Sequence, residues 1–228
     1  AGGVRTHEDV DAFLTETLVG ADPAGEAALA AQHDAGLPAI EVAPVNAKFL
    51  HLLTRIAGAR RVLEVGTLGG YSTIWFARAV GPSGRVVTIE AEPANAEIAR
   101  ANLARAGVSD RVEVRVGRGA DVLPTLVDEE PFDLVFIDAD KESNETYLDW
   151  AARLGRPGTV VVVDNVVRGG EVADADNPDE KVRGARRGVE MLGADPRFDA
   201  TALQTLDRKG WDGVAVAIVV DPLAGPGA

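Results

Sequence analysis

Residues 61–72 read RVLEVGTLGGYS, and this stretch decides the fold of the chain. An apolar run leads into a turn rich in glycine, and a helical pattern extends from Ser72 to Val80. The order predicts a buried strand, a tight loop and a helix. Glycines allow a backbone to approach a ligand closely, and the first turn of a helix has unpaired N–H groups. We therefore expect a nucleotide-like cofactor at this loop.

The spacing of the glycines favours one cofactor over another. A dinucleotide-binding loop has the pattern G-x-G-x-x-G after a strand, but here Leu68 occupies the position of the second glycine. Glu64 would also place a carboxylate near the pyrophosphate of a dinucleotide. An acid before the loop suits a ligand with hydroxyls or a positive charge, and S-adenosylmethionine (SAM) fits that description. A dinucleotide and a purely structural glycine turn are the alternatives.

Short apolar runs alternate with helical patterns along the chain. Runs such as LVFI at 134–137 and VVVV at 160–163 are apolar at every position, which predicts strands covered on both faces, as in a parallel sheet between helices. The predicted strands lie at 61–65, 85–90, 111–116, 133–138, 159–163 and 214–220, with a weaker one at 200–206. The predicted helices of this region lie at 72–80, 93–106, 119–127, 142–154 and 180–192. The expected fold class is α/β, with a doubly wound sheet.

About sixty residues precede the first predicted strand, and they carry helical patterns at 8–18, 24–34 and 46–57. They are too few for an independent domain, and no linker separates them from the strand. We predict one domain with a helical extension at 1–58, an α/β core at 59–220 and a loose tail at 221–228. The extension is expected to cap the core or to form a contact between subunits.

The composition argues against several classes of partner. The formal net charge of −13 would repel nucleic acid and an anionic membrane surface. The absence of cysteine excludes disulfides and thiolate metal sites, and it fits a reducing compartment. No apolar run is long enough to span a membrane, and the N-terminal residues lack the pattern of a signal peptide. We expect a soluble, cytoplasmic protein.

Residues with side-chain oxygens lie at the carboxyl ends of the central predicted strands. They are Glu64, Glu90, Asp138 and the pair Asp164 and Asn165. Ligands of open α/β sheets bind outside these ends, so the four positions predict one shared site. An acid such as Glu90, at the end of the second strand, suits the two hydroxyls of a ribose. The alternative is that each residue is polar because the chain enters a loop there.

Asp138, Asp164 and Asn165 provide an all-oxygen set if their strands are neighbours. Two carboxylates and an amide oxygen suit a hard divalent cation such as Mg²⁺, with Mn²⁺ or Ca²⁺ as alternatives. Zinc is disfavoured, since no cysteine or histidine accompanies the set. Loop acids and an asparagine that caps a turn are the alternative interpretation.

Lys141 follows Asp138 by three residues. At that distance its amine can reach a substrate hydroxyl held at the same cation. A lysine acts as a base when a nearby cation and partial desolvation lower its pKa. The alternative is a solvated lysine that pairs with Asp140 or Glu145.

Together these motifs resemble the class I, cation-dependent O-methyltransferases, the family that contains the catechol and caffeoyl-coenzyme A O-methyltransferases and many bacterial relatives. The resemblance covers about residues 38–220. It rests on VLEVGTLGGYS at 62–72, VTIE at 87–90, FIDADK at 136–141, RPG at 156–158 and VDNV at 163–166. The family fold implied is a seven-stranded sheet whose last two strands form an antiparallel hairpin.

The resemblance implies a role for each residue of the cofactor site. The methionine side of SAM would be shaped by Glu64, Gly66, Tyr71 and Ser72. Glu90 would hold the ribose, and Ala120 would lie by the adenine. Val42 would sit near the methyl-donor end, and Asp138 would contact the cofactor as well as the metal.

The resemblance also implies the reaction. Asp138, Asp164 and Asn165 would bind the divalent cation, and Lys141 would be the general base. The acceptor would be a small catechol-like phenol, and the family implies a homodimer. A hydroxyl of a non-catechol natural product, an NAD-dependent oxidoreductase and a catalytically silent cofactor-binding protein are the alternatives.

Two departures from the family pattern concern the acceptor. The segment VVRGG at 166–170 stands where relatives often carry a tryptophan, and its Arg168 indicates either an acidic group on the acceptor or an arginine that faces solvent. Trp211 is predicted to lie in the turn between the last two strands and to line the acceptor pocket. A coenzyme A thioester is the less favoured acceptor, because the only dense basic group is Arg183, Arg186 and Arg187.

Overall fold

Seven strands form one sheet in the computed structural model, which describes residues 3–223. The strands are β1 (Arg61–Val65), β2 (Arg85–Glu90), β3 (Val112–Val116), β4 (Leu134–Ile137), β5 (Val160–Asp164), β6 (Phe198–Asp207) and β7 (Gly210–Val219). Their order is β3-β2-β1-β4-β5-β7-β6, and β7 runs antiparallel to both β5 and β6 while the other pairs are parallel. The predicted doubly wound sheet and its terminal hairpin are confirmed.

Helices cover both faces of this sheet. They are α1 (His7–Leu14), α2 (Pro23–Asp34), α3 (Pro44–Ile56), α4 (Tyr71–Val80), α5 (Pro93–Arg105), α6 (Gly119–Val122), α7 (Asn144–Leu154) and α8 (Glu180–Ala194). A π-helical turn, Thr15–Val19, continues α1. Among residues 3–223, no helix has the length and apolarity needed to cross a membrane.

The strands contribute side chains to two hydrophobic cores, because successive side chains of a strand point to opposite faces of the sheet. Leu63 of β1 is buried with α7 residues such as Leu148 on one face. Val62, one position earlier, is buried on the other face with α3 and α4 residues such as Leu50 and Phe76. The N-terminal helices therefore share the second core, and the boundary of the predicted extension at residue 58 stays a prediction.

The structure departs from the predicted elements in the helix that follows β3 and in the hairpin of β6 and β7. The predicted helix at 119–127 is α6 followed by a 3₁₀ turn, because Pro124 lacks the N–H that a continuing α-helix would use. Both strands of the hairpin are longer than predicted, and Trp211 lies in β7 rather than in a turn, so that placement was wrong. The predicted loose tail at 221–228 lies largely outside the described residues.

The loop between β1 and α4 fits closely against the loop that follows β4. Gly66 has φ +100°, and a Cβ at that position would lie 1.9 Å from the carbonyl oxygen of Asp138. Leu68 also has a positive φ, +52°. Only glycine tolerates both the conformation and the contact at Gly66. The two loops at the carboxyl edge of the sheet are therefore held in one fixed arrangement.

Candidate active site

A cleft opens at the carboxyl edge of the sheet, beneath the segment that joins α2 and α3. Its main cavity has a volume of about 540 Å³, and its wall includes Gly66, Tyr71, Ser72, Lys141 and Asn165. A second hollow of about 310 Å³ shares Gly66 and Asp138 with this cavity and extends to Glu90. Volumes of this size suit a cofactor together with a small substrate.

Glu64 lies under the cofactor loop and not in the cleft wall. Its carboxylate is fully buried and accepts hydrogen bonds from the hydroxyls of Ser72 (2.6 Å), Thr88 (2.7 Å) and Thr73. Burial raises its pKa to about 7; the three hydroxyls oppose that shift, and the charge of Asp138 adds to it. Glu64 thus holds the first turn of α4 against β2, and Ser72 is the member of this group that reaches the cavity.

The first turn of α4 faces the cavity without a capping side chain. Gly70 precedes the helix with φ +87°, and within residues 3–223 no side chain caps this end. Tyr71 and Ser72, both buried, begin the helix and line the cavity. Free N–H groups at a helix start attract anionic groups.

Glu90 lies at the other end of the cleft. Its carboxylate accepts hydrogen bonds from the backbone N–H groups of Leu68 (2.8 Å) and Glu92 (3.0 Å). Each oxygen of a carboxylate has a second lone pair, so Glu90 keeps acceptor capacity toward the hollow that it lines. Gly119 lines the same hollow, whereas its neighbour Ala120 is exposed and lies outside the wall.

The acidic residues after β4 and at the end of β5 meet around one amine. Lys141 is buried, and its Nζ donates to Asp138 Oδ1 (3.2 Å) and to the carbonyl oxygen of Asp164 (3.4 Å). Loss of hydration raises the pKa of Asp164 to about 7; the charge of Asp138 adds to the effect, and Lys141 opposes it. One buried lysine therefore pairs with the carboxylate of Asp138 and also donates to the backbone of Asp164. Asp138, Lys141 and Asn165 line the main cavity, whereas Asp164 lines a neighbouring hollow and meets Lys141 through its backbone carbonyl. That the four residues form one functional site stays a prediction.

Asp212 of β7 supports this site by accepting hydrogen bonds from the loop after β5, and the sequence analysis did not predict it. Its Oδ1 accepts from the backbone N–H groups of Arg168 (2.9 Å), Val167 (3.2 Å) and Gly213 (2.8 Å), and its Oδ2 accepts from Asn165 Nδ2 (3.2 Å). Asn165 has φ +59°, and the bond to Asp212 uses its amide nitrogen and not its amide oxygen. An acid inside a strand that is otherwise apolar was the signal in the sequence.

Trp211, the neighbour of Asp212, faces away from the cavity. Its ring is half exposed and packs on Gly170, where a Cβ would lie 2.8 Å from the ring. Its Nε1 donates to Gln204 Oε1 at 2.9 Å. Trp211 is not in the cleft wall, although it supports the loop that carries Arg168.

The N-terminal extension closes the cleft through Glu41. Its carboxylate accepts a hydrogen bond from Gln32 Nε2 (3.0 Å) and lies 3.1 Å from His33 Nε2, and its carbonyl oxygen accepts one from Lys209 Nζ (2.7 Å). Val42, the next residue, is buried in the cavity wall where the sequence predicted a cofactor contact. Gln32, Glu41 and Lys209 were not predicted, because no local pattern joins residues so far apart in sequence.

The fold and the cleft define a class of enzyme. A sheet of this order, with a glycine loop after β1 and an acid at the end of β2, is that of the SAM-dependent methyltransferases. The chain belongs to the O-methyltransferase family, whose family model matches residues 26–214. This assignment replaces the oxidoreductase and the silent binding protein considered above.

Relatives and solved structures agree with the assignment. The chain is 61% identical to a catechol O-methyltransferase of Mycobacterium tuberculosis over 211 residues, which are 92% of this chain and 95% of that protein. It superposes with a TM-score of 0.91 and 51% identity on an O-methyltransferase from Bacillus cereus in complex with SAH, covering 93% of this chain and 98% of that one. An O-methyltransferase from Streptomyces achromogenes involved in tomaymycin synthesis, in complex with SAM, has TM-score 0.91 and 49% identity, covering 94% and 97%. The chain is a SAM-dependent O-methyltransferase.

Replacing Glu64 by Gln should change how stability depends on pH. A carboxyl whose pKa is higher in the folded than in the unfolded chain favours folding below about pH 4.5, and this contribution is lost as the pH rises through about 7. It is worth about 3 kcal/mol at most. The free energy of unfolding of the wild type, measured without cofactor from pH 5 to 8, should therefore fall more steeply than that of Glu64→Gln. Parallel pH profiles would contradict the raised pKa.

Proposed function

We propose that this enzyme transfers the methyl group of SAM to one hydroxyl of a small vicinal diphenol, and that the transfer requires a divalent cation, Mg²⁺ in the first instance. The observation that carries the proposal is the placement of Asp138. This residue lines both halves of the cleft, and it also forms the ion pair with Lys141. A methyl donor along the loop from Gly66 to Ser72 would then lie beside the oxygen-rich cluster.

The cleft supports one orientation of SAM. Glu90 receives the ribose hydroxyls at the far end, where the hollow near Gly119 and Ala120 takes the adenine. The methionine end lies over Gly66 and the start of α4, with Val42 near the transferable methyl. Glu64 acts on this end by fixing Ser72, because its own carboxylate is fully buried and bound by three hydroxyls.

The residues of the cluster fit a divalent cation. The negative charge of Asp138 raises the pKa of Asp164, and within residues 3–223 Lys141 is the only cation that forms an ion pair with Asp138. No group of three or more His, Cys, Asp or Glu side chains suited to a metal occurs in that range, so Asn165 has to supply the third oxygen. An all-oxygen set of this kind favours Mg²⁺. The cation, when bound, supplies a Lewis acid that holds the acceptor oxygens and lowers their pKa.

Lys141 is the general base of the proposed mechanism. Its Nζ lies 3.2 Å from Asp138 Oδ1, so it is fixed at the edge of the cluster where an acceptor hydroxyl would arrive. Nζ in its free-amine form takes the hydroxyl proton and becomes an ammonium, and the acceptor oxygen attacks the methyl carbon. The new C–O bond forms as the C–S bond breaks, and S-adenosylhomocysteine leaves. Both reactants are held in one cleft, so positioning supplies much of the rate.

A second candidate acceptor is a hydroxyl of a larger natural product. The observation that favours it is the 49% identity to the Streptomyces achromogenes enzyme, which is involved in tomaymycin synthesis. Both candidates use the same donor site and differ only in what the open side of the cavity accepts.

Methyl transfer to a catechol panel tests the function. We expect transfer from SAM to catechol with Mg²⁺, and loss of it on chelation. Asp164→Asn should need about tenfold more Mg²⁺ or worse, since a lost carboxylate weakens binding of a hard cation. Asp199→Asn, an exposed residue on β6, is the matched control. Full activity after chelation would exclude the metal, and transfer to no phenol would exclude the diphenol acceptor.

Lys141 can be tested as a base separately from its charge. Lys141→Arg keeps a cation beside Asp138, but a guanidinium does not lose its proton in a protein. Both Lys141→Arg and Lys141→Ala should lower kcat about 10²- to 10⁴-fold. Binding of S-adenosylhomocysteine, measured by calorimetry, should change little. Near-normal turnover by Lys141→Arg would assign Lys141 a purely electrostatic role.

The proposal includes a cytoplasmic homodimer without nucleic-acid or membrane partners. Large apolar side chains are exposed on the N-terminal helices, among them Phe13, Leu18 and Ile56. A second copy of the chain that covers this face would bury them. Light scattering should give twice the 23.8 kDa of one chain, and a mass of one chain at micromolar concentration would contradict the dimer.

A further inference from the structure

Arg168 is held in the cleft wall in a conformation that arginine does not favour. Its φ is +53°, and the next two residues, Gly169 and Gly170, have φ +65° and +92°. Glycine adopts such angles freely, whereas for other residues they raise the conformational free energy. The hydrogen bond from the Arg168 backbone N–H to Asp212 Oδ1 at 2.9 Å keeps it there. A glycine at position 168 would adopt the same backbone angles without strain, so the conformation of the loop does not require an arginine.

The guanidinium of Arg168 has no partner among residues 3–223. Its Nε is buried without a hydrogen bond, and none of the ion pairs within residues 3–223 includes this side chain. This is unexpected in a chain with 36 acidic residues. A buried donor left without an acceptor is costly, so an external acceptor would be bound strongly.

The charges around Arg168 leave room for an anion. Asp138 is paired with Lys141, and Glu41 is engaged by Gln32 and His33. Asp140, which lines the same cavity, accepts hydrogen bonds from the hydroxyls of Ser143 and Tyr147. Glu142, the acid at the rim, is exposed, so water and salt screen it. Lys181, at the start of α8, lines the same rim.

We infer that the acceptor carries a carboxylate on the side of the ring away from its two hydroxyls, and that Arg168 binds this carboxylate, with Lys181 at the entrance. The inference rests on the proposed diphenol acceptor and narrows it. A guanidinium matches a carboxylate with two parallel hydrogen bonds, which neutral water does not replace. Dihydroxybenzoates and dihydroxycinnamates have this chemistry.

An anionic group could instead belong to a coenzyme A thioester. The structure favours the free carboxylate, because the three arginines of α8 are already paired. Arg183, Arg186 and Arg187 form ion pairs with Glu180, Glu190 and Glu145 at 3.1, 2.9 and 2.9 Å. No dense set of unpaired cations is left there for the phosphates of coenzyme A.

Kinetics on matched acceptors test the role of Arg168. The panel is 3,4-dihydroxybenzoate, 3,4-dihydroxycinnamate, its coenzyme A thioester, and the neutral 3,4-dihydroxybenzyl alcohol. In the wild type, kcat/KM should be higher for the two acids. Arg168→Gln should lower it for the acids about 10- to 100-fold, mostly through KM, and leave the alcohol within about threefold. Arg168→Lys should recover part of the loss, and Arg183→Gln is the control outside the cavity.

Three results would overturn the inference. They are equal kcat/KM for acid and alcohol in the wild type, an equal loss on all acceptors in Arg168→Gln, and a preference for the thioester over the free acid. Calorimetry of 3,4-dihydroxybenzoate with S-adenosylhomocysteine and Mg²⁺ separates this inference from the proposed function. Binding that depends on Arg168 without methyl transfer would refute the function alone. Methyl transfer to catechols with a kcat/KM that does not depend on Arg168 would refute the inference alone.

Discussion

The buried carboxylate of Glu64 is the interaction on which the donor side of the cleft depends. A carboxylate with no contact to water is stable only when its oxygens are satisfied, and here the hydroxyls of Ser72, Thr73 and Thr88 do so. Those three side chains come from α4 and β2, so one charge ties three elements together. The loop from β1 to α4 then has no freedom to move away from Asp138, whose carbonyl oxygen already touches Gly66. Donor and acceptor sides of the reaction are consequently built on one rigid edge.

A second acid, Asp212, fixes the loop on the acceptor side, as Glu64 fixes the loop on the donor side. It accepts three backbone N–H groups and the amide of Asn165, so it satisfies a loop that bends through consecutive positive φ angles. It can do so because β7 runs antiparallel to β5 and starts next to the end of that strand. Because β7 runs antiparallel to β5, it places Asp212 next to the loop after β5. A purely parallel sheet would not place a residue there in this way. Glu64 and Asp212 both shape loops, and neither lines the main cavity.

Local pattern and parallel geometry account for what the sequence predicted. The bounds of β1 and β2 were predicted correctly, because both are apolar runs with clear ends. Strand ends of a parallel sheet meet at one edge, so Glu90, Asp138 and Asp164 could be assigned to one site. The extent of β6 could not be predicted, since this edge strand is exposed at most positions and has no buried face to read.

Contacts between distant segments account for what the sequence did not predict. Lys209 and Glu41 are 168 residues apart, and only the folded hairpin brings them together. Glu64 illustrates a different difficulty. The sequence placed it correctly on β1, but it could not show that the carboxylate is buried and accepts hydrogen bonds from three hydroxyls. Residue type and spacing therefore locate a site, whereas the direction of each side chain depends on packing from elements that are remote in sequence.

The position of Arg168 determines what kind of selectivity it can give. A contact between a guanidinium and a group remote from the reacting oxygen has nearly the same strength before and during methyl transfer, because the charge of that group does not change. Such a contact lowers KM and leaves kcat nearly unchanged. It would raise kcat only if it also fixed which hydroxyl faces the methyl carbon. The loss through KM expected for Arg168→Gln corresponds to uniform binding, in which Arg168 selects an acidic acceptor without accelerating the methyl transfer itself.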